Sequence, residues 1–404
     1  MKIERLLMVA GEASGDAHGA EVIHEILRRN PRAEVFGIGG DRMRDAGMEI
    51  LHPVSELAFM GVVEVARHLP FIAEVRRELL RSVDARKPQA ALLIDYPGFN
   101  LRFARELKRR GVPVGYYVSP QVWAWGSGRV AKMRDVIDRM FLILPFEVPI
   151  YESAGMAAEF VGHPLLEEID HLDEPMTADG DRLFRERHGL KQVAPLVALL
   201  PGSRLQEVRR MLPLMLEALR HVRLNAEIAV AVASSPTIPA SLYRDLGCGE
   251  GVRVLTGETH ELLRAVAAAA RTTGGCAVVK SGTGTLEAAL HRTPMVIVYR
   301  TSGVTYLLGR MFVRIPYIGL ANIAAGRRIV PELIQRDCTP RRIAREVESL
   351  LMDSERRSMM IDALAGLREN LGSAGASSRV ADGLERLIES ARALRSKQPG
   401  VGAQ

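Results

Sequence analysis

The feature that most restricts this chain's fold is a recurring junction, in which a short apolar run ends in a glycine-bearing turn that opens a helix. Leu6–Ala10 runs into Gly11-Glu12-Ala13-Ser14-Gly15-Asp16, and a helix is predicted from about Ala17 to Arg29. Leu196–Leu200 runs into Pro201-Gly202-Ser203-Arg204, with a helix predicted to about Arg220. Ala277–Val279 runs into Ser281-Gly282-Thr283-Gly284-Thr285, with a helix opening at about Leu286. Strand, glycine turn and helix together form the opening of a doubly wound α/β domain. Glycine lets the backbone approach a ligand closely. A helix N-terminus offers unpaired amides and a positive dipole end to an anion.

Other short apolar runs extend this pattern. Strands are predicted at Glu34–Gly39, Ala90–Ile94, Val114–Val118 and Met140–Leu144, with helices at Leu69–Ala85 and Leu101–Arg110. The second half adds strands at Glu227–Ala233, Val252–Thr256 and Pro294–Tyr299, and helices at Pro331–Ile334, Pro340–Leu351 and Arg379–Leu394. Such alternation predicts parallel sheets covered on both faces. At 404 residues the chain exceeds one ordinary core, so two domains are expected. The charged, irregular stretch His171–Lys191 reads as a linker. The expected division is residues 1–170, a linker at 171–192, a second domain at 193–375, a helix at 376–395 returning to the first, and a disordered tail at 396–404.

Composition narrows the classes of function. With 47% apolar and 25% charged residues, the chain reads as an ordinary globular protein. No apolar run reaches the roughly 18–20 residues of a spanning helix. The N-terminus enters a strand directly and shows no signal-peptide cleavage site. Cys248, Cys276 and Cys338 are scattered and lack metal-ligand spacing, which suits a reducing cytoplasm. No cofactor and no metal are expected. Asp179-Gly180-Asp181 has the spacing of a metal-holding pair, but in the linker it reads as a turn and helix cap. A net charge of +6 is compatible with nucleic acid, an anionic membrane or a phosphorylated substrate. The arginines are dispersed and aromatics make up only 5%, so solvated helix faces are preferred to a nucleic-acid groove.

Several residues could carry chemistry. Glu287, in a first helical turn beside a glycine loop, suits ribose hydroxyls; an acidic helix start reads equally well. Arg204 beside Ser203 at a helix N-terminus suits a diphosphate, or is a surface arginine near its cap. Ser203 and Gln206 have capping-box spacing. Asp95 ends a buried run, where partial burial would raise its pKa toward that of a general base; an Asx-turn before Pro97 is the other reading. Asp16 and His18 follow the first glycine loop and can act there or cap its helix. Gln121, Trp123 and Trp125 suit a sugar or acyl wall, or a core.

Taken together, these segments resemble the lipid-A-disaccharide synthases. The likeness runs from Val9-Ala10-Gly11-Glu12-Ala13-Ser14-Gly15-Asp16 to about Gln335. It includes Gly37-Ile38-Gly39-Gly40, Ile94-Asp95-Tyr96-Pro97-Gly98-Phe99-Asn100 and Ser119-Pro120-Gln121-Val122-Trp123-Ala124-Trp125. It continues through Leu144-Pro145-Phe146-Glu147, Val161-Gly162-His163-Pro164-Leu165, Leu200-Pro201-Gly202-Ser203-Arg204 and Ser281-Gly282-Thr283-Gly284-Thr285-Leu286-Glu287.

The resemblance implies a GT-B type glycosyltransferase with two Rossmann-like, doubly wound parallel-sheet domains facing a cleft. It implies condensation of UDP-2,3-diacylglucosamine with 2,3-diacylglucosamine 1-phosphate, giving a β(1→6) disaccharide 1-phosphate and UDP. Carried over, Asp95, Asp16 and Glu12 fall on the catalytic side, and Ser14, Asn100, Gln121 and Trp123 on the acceptor side. UDP falls to Gly202, Ser203, Arg204, the Ser281–Thr285 loop, Glu287 and Asn322. The segment Gly319–Gly326 resembles the family's Asn-bearing loop, with Ala321 in place of an expected proline. Lys280 stands where the family often has a small residue, and its charge adds to diphosphate binding. Arg271–Gly275 has no functional account from sequence. An α-linked donor giving a β product means inversion by one in-line displacement. Other readings are a different GT-B enzyme acting on UDP-N-acetylglucosamine, an epimerase included, or a basic nucleic-acid-binding protein. The apolar stretch Leu57–Ile72, followed by Arg76, Arg77 and Arg81, reads as a buried segment of the first domain or, given the diacylated acceptor that the resemblance implies, as a site of peripheral attachment to the cytoplasmic face of the inner membrane. Homodimer assembly is compatible with the resemblance.

Overall fold

A computed structural model describes residues 2–56, 69–120, 122, 128–169, 174–224, 226–301 and 317–396. The chain divides into two compact units, residues 1–167 with 372–404, and residues 168–371.

Among the described residues, the first unit is built on a seven-stranded sheet ordered β3-β2-β1-β4-β5-β6-β7. Its strands are β1 (Arg5–Ala10), β2 (Glu34–Gly39), β3 (Glu49–Pro53), β4 (Ala90–Ile94), β5 (Val114–Tyr117), β6 (Arg139–Leu142) and β7 (Ala158–Phe160). Every pairing is parallel. In β1 the alternation of a pleated strand feeds two cores. Leu7 and Val9 enter one, with Val75, Leu79 and Val83 of helix Leu69–Arg86 and Phe99, Phe103 and Leu107 of helix Pro97–Arg109. Leu6, Met8 and Ala10 enter the other, with Val22, Ile23 and Ile26 of helix Ala13–Arg29. That second face is completed by the last helix, Ala376–Ser396, through Val380, Ala381, Leu384 and Ile388. Arg29 Nη1 meets Asp382 Oδ1 at 2.5 Å, and Arg379 Nε donates to the Val161 carbonyl at 2.7 Å. Apart from Ser396, which ends this helix, the expected tail lies outside the described residues.

Among the described residues, the second unit holds six parallel strands ordered β10-β9-β8-β11-β12-β13. They are β8 (Leu196–Leu200), β9 (Ala229–Ser234), β10 (Val252–Thr256), β11 (Gly275–Lys280), β12 (Met295–Tyr299) and β13 (Glu332–Ile334). Here one expectation fails. Residues 331–334 do not form a helix; Glu332–Ile334 pair with Ile297–Tyr299 as an edge strand. A three-residue segment is too short to show either period, and the sheet edge decides it. Within the stretch expected to be irregular, Ala178–Arg187 is a helix, capped by Thr177 Oγ1 accepting from Gly180 N. Asp181 there pairs with the fully buried Arg185. The stretch Arg271–Gly275 has a packing role. It leaves helix Thr259–Arg271 and enters β11, and a Cβ on Gly275 would lie 2.5 Å from the Val266 carbonyl oxygen.

Candidate functional site

In each sheet the strand order reverses once, between β1 and β4 in the first unit and between β8 and β11 in the second. Crevices in doubly wound sheets open at such reversals, beyond the carboxyl ends of the strands. Register fixes what lines them. Ala10 pairs with Ile94, so the turns bearing Glu12 and Asp95 emerge side by side. Leu200 pairs with Val279, so Pro201–Arg204 and Lys280–Thr285 do the same.

In the first unit Asp95 and Tyr96 both take left-handed backbone angles, φ 46° and 49°. Two such non-glycine residues in succession are costly and persist only where the surroundings over-determine them. The carbonyl of Asp95 is held by the Tyr116 hydroxyl and by Asn100 Nδ2 at 2.8 Å, and its amide donates to the Tyr117 carbonyl at 2.9 Å. Asn100 is fully buried and also reaches the Ile94 carbonyl at 3.2 Å. It therefore shapes the Asp95 turn rather than presenting itself at a surface. The bend lays the Tyr96 ring over Gly11, where a Cβ would lie 2.1 Å from the ring's Cγ. Only glycine fits there. Glu12 and Asp95 are both half-buried at this rim, and Ser14 is exposed.

Asp16 is buried and engaged elsewhere. Its Oδ1 accepts from Gly40 N at 2.6 Å and Met43 N at 3.1 Å, and its Oδ2 accepts from Arg42 N at 3.2 Å. It supplies the N-terminal cap that helix Asp41–Asp45 lacks from its own Gly40. The His18 ring lies 6.3 Å from that of Tyr117. Gln121, Trp123 and Trp125 lie outside the described residues.

In the second unit Gly202 turns the chain with φ +116°, and Ser203 and Arg204 are exposed at the start of helix Leu205–Arg220. Arg204 occupies the N-cap with no side-chain cap bond, so the expected Ser203–Gln206 capping box does not form. Ser281 Oγ donates to the Ile318 carbonyl at 3.0 Å, and Thr285 Oγ1 to the Gly282 carbonyl at 2.8 Å. Both hydroxyls brace the loop from within, while Thr283 is exposed. Helix Gly284–Leu290 begins there and carries Glu287. Asn322 is fully buried and spends its amide on its own surroundings. Its Oδ1 accepts from Ile329 N at 2.7 Å and Val330 N at 3.0 Å, and its Nδ2 reaches Glu332 Oε1 at 2.8 Å.

Sequence reading missed the groups behind Glu287. His260 and His291 are joined by a 2.9 Å contact from Nδ1 to Nε2, and His260 Nε2 lies 3.7 Å from Glu168 Oε1. Burial pushes His291 down to about 3, which leaves its ring neutral. The Glu168 carboxylate beside it raises His260. Burial raises the Glu287 carboxyl above its ordinary range, and His260 opposes that rise. No spacing rule links positions 168, 260, 287 and 291. The one available signal was a histidine opening the helix beyond β10. Lys280, by contrast, stood out in sequence, and its partner is Glu207 at 2.6 Å. Among the described residues His188, Glu258 and Glu261 bring three potential ligand atoms within 4.8 Å, and the Arg187 guanidinium already contacts both carboxylates.

A family model described as lipid-A-disaccharide synthetase matches residues 6–379. A lipid-A-disaccharide synthase of Myxococcus xanthus is 43% identical over 393 residues, covering 96% of this chain and 98% of the relative. One from Anaeromyxobacter dehalogenans is 45% identical over 385 residues, covering 94% and 96%. Among solved structures, the kitacinnamycin glycosyltransferase superposes with a TM-score of 0.64 at 16% identity, covering 96% of this chain and 99% of that one. The UDP-GlcNAc 2-epimerase of Neisseria meningitidis, bound to UDP-GlcNAc, gives 0.63 at 12% identity, covering 95% and 100%. At such identities the structural likeness shows the fold alone, here the GT-B type.

Proposed function

This chain belongs to the lipid-A-disaccharide synthase family, and from that premise we propose how its residues divide the reaction. The reaction condenses UDP-2,3-diacylglucosamine with 2,3-diacylglucosamine 1-phosphate, giving the β(1→6) disaccharide 1-phosphate and UDP. The chain is an inverting glycosyltransferase that takes a UDP-sugar donor and a lipid acceptor.

Inversion needs one base, one oxocarbenium-like transition state and a stabilised leaving group. Asp95 is the proposed base for the acceptor 6-hydroxyl, with Glu12 beside it at the same strand reversal. Asp16, whose two oxygens cap a helix, and Asn100, which clamps the Asp95 turn, are proposed as positioning residues. The second unit is proposed to hold UDP. Arg204 and the amides at two helix starts meet the diphosphate, where charge grows as UDP departs. Glu287 accepts from the ribose hydroxyls. Asn322 organises the segment around residues 318–334 and is proposed to act on UDP only through it. The observation that carries this division is the pair of strand reversals, one furnished with carboxylates and the other with glycine turns and an arginine.

The purified protein, mixed with both acylated sugars, is expected to yield the disaccharide 1-phosphate by mass spectrometry, together with UDP. Product from a donor lacking acyl chains, or epimerised UDP-N-acetylglucosamine, would favour another GT-B activity.

The acceptor carries two acyl chains, so peripheral attachment to the cytoplasmic face of the inner membrane is part of the proposal. No helix among the described residues is long and apolar enough to cross a membrane. The candidate stretch Leu57–Ile72 lies largely outside the described residues. At its end Pro70 is exposed, Phe71 and Ile72 are half-buried against the core, and Arg77 and Arg81 beyond them are exposed. An apolar patch flanked by basic residues is what interfacial binding requires. Changing Val62, Val65 and Leu69 together to serine is expected to reduce sedimentation with anionic liposomes while leaving UDP affinity and the melting temperature unchanged. Unfolding of that variant would mark the stretch as core, and undiminished sedimentation would place the contact elsewhere. Assembly as a homodimer belongs to the same proposal, with sedimentation equilibrium as its check.

A further inference from the structure

Lys280 ends β11, one residue before the Ser281–Thr285 loop. Its ammonium lies 2.6 Å from Glu207 Oε1, with side-chain exposures of 16% and 20% for the two partners, and 5.9 Å from the centre of the Tyr299 ring. Glu207 sits in the first turn of helix Leu205–Arg220. The pair touches both glycine turns. A Cβ on Gly202 would lie 2.4 Å from Glu207 Oε2, and a Cβ on Gly282 would lie 3.5 Å from Lys280 Nζ.

A carboxylate in a first helical turn is favoured by the helix dipole, so Glu207 is ordinary in that respect; what sets it apart is its place beside the proposed diphosphate turns. The turns around it expose amides and Arg204, an arrangement that draws anions, and Glu207 unpaired would repel them. A half-buried ion pair is also weak as a stabiliser, since apolar groups of equal volume do as well or better. The lysine, however, is well suited to the position. Its ammonium carries three N–H donors, and the contact with Glu207 uses one. Tyr299 limits its freedom from the side.

We propose that Lys280 is a ligand of the donor diphosphate, with Glu207 as the positioning residue that holds its ammonium between the two glycine turns. This rests on the reading that the second unit binds UDP. A cation there strengthens ground-state binding, and it also meets the charge that accumulates on the diphosphate as the glycosidic bond breaks.

The test is calorimetry with UDP and with UMP on the full-length protein. Lys280→Met is expected to weaken UDP about tenfold or more and UMP much less, so that the preference for UDP over UMP falls. The Lys280→Met/Glu207→Gln double variant removes the carboxylate left unpaired by the single change. It is expected to fold as the parent does and to stay weak for UDP. Recovery of parental affinity in the double variant would show that Lys280 only neutralises Glu207, and the proposal falls. It falls also if Lys280→Met binds UDP like the parent, or loses UDP and UMP by equal factors. Glu287→Ala, titrated alongside, separates the two levels. If it weakens UDP while Lys280→Met does not, only the role of Lys280 is lost. If neither variant weakens UDP, the nucleotide site itself lies elsewhere.

Discussion

Asp95→Asn is expected to lower turnover about 10²–10⁴-fold, the usual cost of losing a general base, with UDP affinity close to that of the parent. The asymmetry follows from position. Asp95 leaves the first sheet at the β1/β4 reversal, whereas the proposed nucleotide residues leave the second sheet at β8/β11. The substitution keeps the size of the side chain, and the contacts that hold this turn run through backbone atoms. Tyr116 and Asn100 grip the Asp95 carbonyl, and the Asp95 amide donates to Tyr117. The bend therefore survives, asparagine being among the residues that tolerate left-handed angles. The measurements are kcat with both acylated sugars and Kd for UDP by calorimetry. Near-normal turnover would make Asp95 a turn residue and pass the base to Glu12. Loss of UDP affinity in proportion to turnover would mean that the change damages more than proton transfer.

The second large effect is expected at Glu287. Glu287→Ala should weaken UDP about tenfold or more, since a hydrogen bond to a charged group is worth roughly 1.5–3 kcal/mol. Arg204→Ala should weaken it from the other turn. The unliganded Glu287 carboxyl is raised above its ordinary range by burial, with His260 opposing the rise and Glu168 adding to it. Ribose hydroxyls donate to the carboxylate form. UDP affinity should therefore hold above the raised pKa and fall as pH drops through it, and Glu287→Gln should flatten that limb. The stability effect has the opposite sense. A carboxyl whose folded pKa is raised destabilises the protein above that pKa, and the penalty disappears below the unfolded value. Glu287→Gln is thus expected to raise the melting temperature at neutral pH while weakening UDP. A lowered melting temperature would mean that the carboxylate is a structural partner rather than one held at a cost for its ligand. Unchanged UDP affinity in both Glu287→Ala and Arg204→Ala would move the nucleotide out of this unit.

The sequence by itself determined the central strands and the turns that follow them. Runs such as Leu6–Ala10, Ala90–Ile94 and Leu196–Leu200 are apolar without a break because both faces of a parallel sheet are covered. Each ends at a glycine or aspartate where the chain leaves the core, so Gly11, Asp95, Gly202 and Gly282 were legible as turns. Some segments at the sheet edges were not, although the edge strand Val252–Thr256 was. β3, β7 and β13 lie at the sheet edges, β7 and β13 are three residues long, and Glu332–Ile334 carries no period that separates strand from helix. Tertiary structure alone decided which partners each polar side chain has. Asp16 stood in sequence as a catalytic-side candidate, and only the fold shows that the amides of Gly40, Arg42 and Met43 reach it from 24 to 27 positions away. Asn322 could have faced a ligand until the backbone of 329–330 folded over its amide. Lys280 acquired Glu207, and Glu287 acquired His260, across gaps of 73 and 27 residues that no local pattern spans. The physical reason is one of range. Apolar periodicity and turn chemistry act between near neighbours in the chain. A buried polar group must instead find its partner wherever the packed elements bring one within reach.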